Sequence, residues 1–329
     1  MSNVINCHAI RIHQHGGPEV LQWEKIDVPA PSAGEVRVQN TAVGLNYIDT
    51  YHRTGAYKIP LPSVIGREGA GIVESIGADV TDLAIGDRVA YASTPIGAYA
   101  QFRIMPAHRL VKIPANVTDE IAASIMLKGM TAQYLLRRTY RVKAGDIILS
   151  QAAAGGVGLI LGQWAKHLGA TVIGTVGSDE KIAIAKANGC DYVINYRTQD
   201  FVARVTEITN GQKCQVVYDG VGNDTFLKSL DCLAPLGLMA SFGAASGPVA
   251  PFATGDLAMK GSLFLTRPTL DTYTAKREDL LESAAELFDV VGRGIVKVSV
   301  NQTYALKDAA VAHRDLEARK TTGSTVLIP

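Results

Sequence analysis

The sequence predicts an α/β protein in two parts, a partly closed β-barrel and a doubly wound parallel sheet. Three observations predict it. Residues 145–170, GDIILSQAAAGGVGLILGQWAKHLGA, read as strand, glycine turn and helix. Residues 126–267 alternate apolar runs of strand length with helical segments. Residues 1 to about 125 instead carry short alternating stretches cut by frequent turn signals. A chain of 329 residues ordinarily divides into two domains.

Bulk properties bound the function. The chain is 47% hydrophobic and 19% charged, with a formal net charge of +1, which argues against a polyanion held by broad electrostatics. Cys7, Cys190, Cys214 and Cys232 lie far apart without a C-x-x-C, so reduced thiols in a cytoplasmic protein are expected. The opening MSNVINCHAIRIHQHGG lacks the basic and apolar regions of a secretory leader. The longest apolar run, residues 152–162, is too short and glycine-rich to span a bilayer.

In chain order, Val36 to Val43 alternates as a half-buried strand does. Gly16-Gly17-Pro18, Pro29-Ala30-Pro31, Pro60-Leu61-Pro62 and Gly86-Asp87 mark turns. Helix begins near Asp119, with Thr118 or Asp119 as N-cap. Ile147, Ile148 and Leu149 form a buried strand, and the helix opened by the glycines runs to about Leu168, stopped by Gly169. Strands are expected at residues 171–176, 192–195, 215–219, 236–242 and 262–266, and helices at 178–188, 199–209 and 224–233. Two amphipathic helices follow, near residues 276–291 and 306–318. A last strand, residues 324–328, rejoins the first domain, so that the second domain is an insertion and the cleft lies between the two.

Ala153-x-Gly155-x-x-Gly158 sits between a strand and a helix, the context in which bare backbone N–H groups of Gly155, Gly156 and Val157 receive a pyrophosphate at the positive helix end. The first glycine is an alanine. The residues that close the second strand, Val176-Gly177-Ser178, include no carboxylate to hold a ribose 2′-OH or repel a 2′-phosphate. Ser178 offers a donor and Lys181 a positive charge one turn on, although Asp179 stands between them.

Several segments together resemble the medium-chain dehydrogenase/reductase superfamily, among them Gly66-Arg67-Glu68-Gly69-Ala70-Gly71 and Gly86-Asp87-Arg88-Val89. Gly145-Asp146-x-x-Leu149-x-x-x-Ala153-Ala154-Gly155-Gly156-x-Gly158-x-x-x-x-Gln163-x-x-Lys166 is similar to the signature of its NADPH:quinone oxidoreductase family, which includes zeta-crystallin. Val43-Gly44-Leu45-Asn46-Tyr47-Ile48-Asp49 and Thr266-Arg267-Pro268 resemble it too. The resemblance implies a GroES-like catalytic domain (residues 1–125 with 268–329) and a Rossmann domain for NADPH (residues 126–267). It also implies a quinone-like substrate and a homodimer paired through edge strands of the nucleotide domain. Within it, Ser178, Lys181 and Tyr196 match 2′-phosphate contacts, Thr131 a nicotinamide-ribose contact, Phe264, Leu265 and Arg267 the carboxamide segment, and Arg319 a residue near the cofactor. Phe242-Gly243 ends a strand at the carboxyl edge of the sheet, where such folds bind ligands.

Zinc members of the superfamily carry Cys in the place of Asn46 and His in the place of Arg67, and only the acidic Glu68 remains here. His13 and His15 read as a solvated pair, and the other histidines as surface or capping residues. No metal is expected. Without a Lewis acid, hydride transfer to an electron-poor acceptor is the chemistry that remains. Asn46 is expected to orient the nicotinamide or a carbonyl, with Tyr51 and Tyr57 as a stackable wall, unless those rings are core packing. Reduction of an enone or alkenal C=C bond is the alternative activity, and an RNA-binding or crystallin-like role a weaker one.

Overall fold

The computed structural model describes residues 4–329; the first three residues of the segment read as leader-free lie outside them. The first part of the chain forms β1 (Ile5–Ile12), β2 (Gln22–Val28), β3 (Glu35–Leu45), α1 (Tyr47–Thr54), β4 (Ser63–Val64), β5 (Glu68–Ile76), β6 (Arg88–Tyr91), β7 (Phe102–Pro106), β8 (Val111–Lys112) and α2 (Asp119–Tyr134). Next come β9 (Ile147–Ser150), α3 (Gly156–His167), β10 (Thr171–Val176), α4 (Glu180–Ala187), β11 (Tyr192–Asn195), α5 (Phe201–Ile208), β12 (Cys214–Asp219), α6 (Phe226–Asp231), β13 (Leu233–Ser241), α7 (Gly255–Met259), β14 (Phe264–Thr266) and α8 (Leu270–Tyr273). The chain closes with α9 (Arg277–Gly292), β15 (Val300–Ala305), α10 (Ala309–Glu317) and β16 (Ser324–Ile328).

Two compact units result: residues 1–128, 274–288 and 298–329, and residues 129–273 with 289–297. The boundaries expected at 125/126 and 267/268 therefore fall at 128/129 and 273/274, and residues 289–297 go with the second unit.

In the first unit a seven-stranded sheet runs β15-β16-β3-β5-β6-β8 with β7 also on β3, beside a three-stranded sheet β2-β1-β4. β16 lies antiparallel to β3, with Thr325 opposite Leu45 and Val326 opposite Gly44. The C-terminal strand thus braces the end of the strand that delivers Asn46. Val36, Val38, Val43, Ile65, Met105 and Leu327 share one buried core. β3 alternates only in its middle, from Val38 to Ala42, and is buried without a break from Val36 to Val38 and from Ala42 to Leu45.

In the second unit the order β11-β10-β9-β12-β13-β14 is parallel throughout. That order reverses between β9 and β12, the point at which open α/β sheets bind ligands. Leu149, Ile173, Ile194, Val217 and Met239 fill its core. Two expectations shift. β13 begins at Leu233 rather than 236 and kinks at Leu236, which takes a left-handed φ of 61°. The last long helix begins at Ala309, because Leu306–Asp308 forms a 3-10 turn that buries Leu306.

Candidate active site

The glycine turn of the second unit is built by β9 and α3. Ala152 takes the left-handed position, φ 56°, and Gly155 is the extended N-cap of α3. Ala153, the alanine in place of the first glycine, is buried, and its methyl fits because Gly174 faces it from β10. A Cβ on Gly174 would stand 2.7 Å from that methyl. A Cβ on Gly158 would come within 2.5 Å of Ala152 O, so this glycine serves close helix–turn packing. Gly155 differs. A Cβ there would meet only Ala152 O, at 3.1 Å, which leaves open space in front of the first turn of α3 and its helix-unbonded N–H groups, including those of Gly156 and Val157.

At the end of β10 three residues gather. The Tyr196 hydroxyl lies 3.1 Å from where a Cβ of Gly177 would be, and Lys181 N donates to Ser178 O at 3.2 Å. Ser178 Oγ is buried with no hydrogen-bond partner, a donor waiting for an acceptor. Asp179 is turned to a different task, since its carboxylate accepts from Asn195 Nδ2 at 2.8 Å. This corner suits a phosphate ester, and the turn beside it suits a pyrophosphate.

The carboxyl end of β13 forms a second group. Arg267 Nη1 donates to Ser241 O at 2.8 Å, so the guanidinium sits next to Phe242-Gly243. Thr131 hydrogen-bonds the Tyr134 side chain, and Arg267 acts electrostatically on the same Tyr134. Tyr134 stacks on Tyr273 at 4.4 Å. Phe264 and Leu265 lie elsewhere. They occupy the edge strand opposite Leu238 and Met239, behind the carboxyl end, and Phe264 is 60% exposed.

In the first unit Asn46 is buried at the N-cap of α1. Its Nδ2 donates to Glu68 Oε2 at 2.7 Å. Lys128 Nζ meets the same oxygen at 3.0 Å, and Leu127 N donates to Glu68 Oε1 at 2.7 Å. Glu68 is fully buried and Lys128 nearly so, an ion pair completed by hydrogen bonds on both carboxylate oxygens. Gly44 permits it, because a Cβ there would stand 2.3 Å from Glu68 Oε2. Tyr51 packs against Tyr47 and Tyr57, with ring centroids 5.6 and 5.2 Å away. Tyr57 is 42% exposed, so this wall is not core packing. Arg319 follows α10 with a left-handed φ of 60° and acts electrostatically on Tyr47, at the start of α1.

Sequence reasoning missed two features. Lys128 has no evident role in the sequence, yet it is the cation of the Glu68 pair. His313 and His52, read as surface or capping residues, are buried. His313 Nε2 lies 3.0 Å from Tyr99 Oη, and Tyr99 Oη donates to Asp49 Oδ2 at 3.0 Å. Asp49 also accepts from Asn46 N at 2.9 Å. Burial is the main reason that the Asp49 carboxyl is pushed up to about 7 and His313 down to about 3, the latter helped by Arg53. Nothing in local sequence joins residues 46, 99 and 313. Among the described residues no group of three or more His, Cys, Asp or Glu is arranged to hold a metal ion.

Comparison with known proteins agrees with this architecture. Residues 32–115 match the alcohol dehydrogenase GroES-like domain family, and residues 156–286 the zinc-binding dehydrogenase family. A quinone oxidoreductase of Pseudomonas aeruginosa is 51% identical over 321 residues, covering 97% of this chain and 99% of that protein. A 2-haloacrylate reductase of a Burkholderia species is 48% identical, covering 97% and 98%. The crystal structure of Escherichia coli quinone oxidoreductase complexed with NADPH superposes with a TM-score of 0.96 at 50% identity, over 98% of this chain and 100% of that one. With a glycine turn in a parallel sheet, a GroES-like partner unit and relatives at half identity over nearly the whole length, this chain belongs to the NADPH:quinone oxidoreductase family of the medium-chain dehydrogenase/reductases.

Proposed function

We propose that the protein reduces quinones with electrons from NADPH, and that it does so without zinc. The observation that carries the cofactor is the corner at the end of β10: an orphaned Ser178 Oγ, the Tyr196 hydroxyl over Gly177, and Lys181 one turn on. Ser178, Lys181 and Tyr196 would hold the 2′-phosphate, and Gly155, Gly156 and Val157 the pyrophosphate. Thr131, Phe242, Gly243 and Arg267 would line the nicotinamide end, with Phe264 and Leu265 supporting the strand that carries Arg267. The bound nicotinamide supplies the hydride.

The chain's own residues orient and exclude. Glu68 holds the Asn46 amide through Nδ2, and the amide oxygen, which faces the Asp49 N–H in the capping box of α1, keeps one further lone pair for a donor opposite it. Tyr51 and Tyr57 offer ring faces to a flat acceptor, and the Tyr51 hydroxyl is the nearest candidate proton donor among them. Arg319 adds a positive charge beside Tyr47. A zinc ion does not suit this donor set: Arg67 and Lys128 are cations and Asn46 is committed to Glu68. We further place the protein in the cytoplasm as a homodimer; exposed Phe264 and Leu265 on the edge strand β14 support pairing there, and no helix among the described residues is long and apolar enough to cross a membrane.

A second reading is reduction of an activated C=C bond, favoured by the 48% identity to a 2-haloacrylate reductase. Paired titration of metal-free protein with NADPH and NADH, then turnover with 1,4-benzoquinone and 2-chloroacrylate, decides between them. NADPH binding with benzoquinone turnover is expected. Turnover of chloroacrylate alone moves the function to alkene reduction, and absence of nucleotide binding ends both readings.

A further inference from the structure

A buried chain of hydrogen bonds in the first unit runs from α10 to the N-terminus of α1. Arg53 on α1 is 1% exposed and donates to Glu317 of α10 through Nη2 at 2.6 Å and Nη1 at 3.0 Å. Its Nη1 also lies 3.1 Å from His313 Nδ1. A guanidinium has donors only, so Nδ1 must accept, and the imidazole carries its proton on Nε2. Nε2 therefore donates to Tyr99 Oη, and the Tyr99 hydrogen is free to go to Asp49 Oδ2. The direction of every bond in the chain is fixed by its charged end.

Asp49 is three residues into α1. Its Oδ2 accepts two hydrogen bonds, from Tyr99 Oη and Asn46 N, while Oδ1 is buried with no partner. A proton arriving at Asp49 has one place to go, Oδ1. It removes the negative charge from the positive end of α1 and weakens the bond that sets the backbone of Asn46. The groups that face this carboxyl are Tyr99, Lys128 and Glu68, with Arg53 and Glu317 behind His313. Burial raises Tyr99 well above the ordinary phenol range, so it stays a donor. The relay then favours the charged form of Asp49 against the burial that opposes it.

We propose that His313 is a positioning residue for the reduction: through Tyr99 it keeps the Asp49 carboxylate ionised and so holds Asn46 in place. The inference rests on the reading that Asn46 meets the acceptor. It makes α10, more than 250 residues away in sequence, part of the working apparatus of α1.

The test uses full-length wild type, His313→Ala, Tyr99→Phe and Asp49→Asn. Tyr99→Phe keeps the ring that fills the core and removes only the hydroxyl. Infrared difference spectra of nucleotide-free protein follow the protonated-carboxyl band with pH. The wild-type band titrates near neutral pH and is absent in Asp49→Asn. Tyr99→Phe removes a donor from the carboxylate and moves the titration up by on the order of one unit, and His313→Ala, which removes the donor that polarises the Tyr99 hydroxyl, moves it in the same direction by less. The alkaline-rising limb of kcat for benzoquinone moves with it, and kcat at neutral pH falls on the order of tenfold while the Kd for NADPH is unchanged. Asp49→Asn, neutral like the protonated carboxyl, turns over at a low rate that no longer varies along this limb. An infrared titration and kcat limb that stay put in both relay variants would overturn the proposal, as would a wild-type limb preserved in Asp49→Asn. A wild type that reduces no quinone would instead end the functional reading, while the infrared shift still decides the relay.

Discussion

At the scale of single residues, the candidate site separates side chains that bind from side chains that shape. With Lys181 in its proposed place at the 2′-phosphate, Lys181→Glu is expected to weaken NADPH by about 10-fold or more while leaving NADH nearly unaffected, roughly the 1.5–3 kcal/mol of a charge-assisted bond and its reversal. Paired fluorescence titrations check this, and an unchanged preference would remove Lys181 from the phosphate corner. Gly155 has room in front of it, with only Ala152 O near a Cβ. Gly155→Val should therefore fold and yet lose both nucleotides, because its side chain enters the space a pyrophosphate needs; wild-type affinity in a folded variant means the turn is packing alone. Gly155 is legible in sequence as part of a spaced motif. Lys128 is not, because a lysine at a helix position reads as solvated until Glu68 is seen beneath it.

At the scale of elements, the glycine turn depends on β10 as much as on itself. Ala153 in place of the first glycine is tolerated because Gly174 faces it, with Cys190 on the other side. Gly174→Ala would set a methyl 2.7 Å from both the Ala153 methyl and Cys190 Sγ, an overpacking that costs about 1–3 kcal/mol. The expected result is a lower midpoint in denaturant with an unchanged slope, together with weaker NADPH binding as the turn shifts. The reciprocal pair Ala153→Gly, Gly174→Ala should recover much of that stability. The pattern of strands and helices in this unit follows from apolar runs and caps, and the bounds of its expected elements differ from the observed ones by at most three residues. The kink at Leu236 did not show, because a left-handed leucine has no local signature.

At the scale of the whole molecule, two buried groups bend the pH dependence of stability in opposite directions. Asp49 has its proton affinity raised on folding, from 3.8 to about 7, so its contribution is fully present below about pH 4 and is lost as pH rises through 7. The shift of about three units caps that loss at about 4 kcal/mol. His313 is lowered to about 3, so its contribution is present above about pH 6.5 and is lost as pH falls toward 3. Thermal melts are therefore expected to show Asp49→Asn gaining on wild type from pH 5 to pH 8, and His313→Gln losing less than wild type below pH 6. Parallel curves for variant and wild type would show that neither group titrates on unfolding.

The sequence by itself determined the order and type of the elements, the glycine turn and the family, because these rest on periodicity, caps and short spacings along one stretch of chain. Most of the proposed phosphate corner was legible for the same reason: Gly177, Ser178 and Lys181 are close in sequence, and Tyr196 follows the next strand. Only the tertiary structure decided what holds Asn46. Glu68 reaches it directly from β5, Lys128 of α2 acts through Glu68, and Tyr99 of a loop and His313 of α10 act through Asp49, each an ordinary polar residue in its own segment. Their partners are set by strand β16 pairing with β3 and by helix α10 packing after it, long-range events whose energetic weight appears only once the groups are buried together and must satisfy one another.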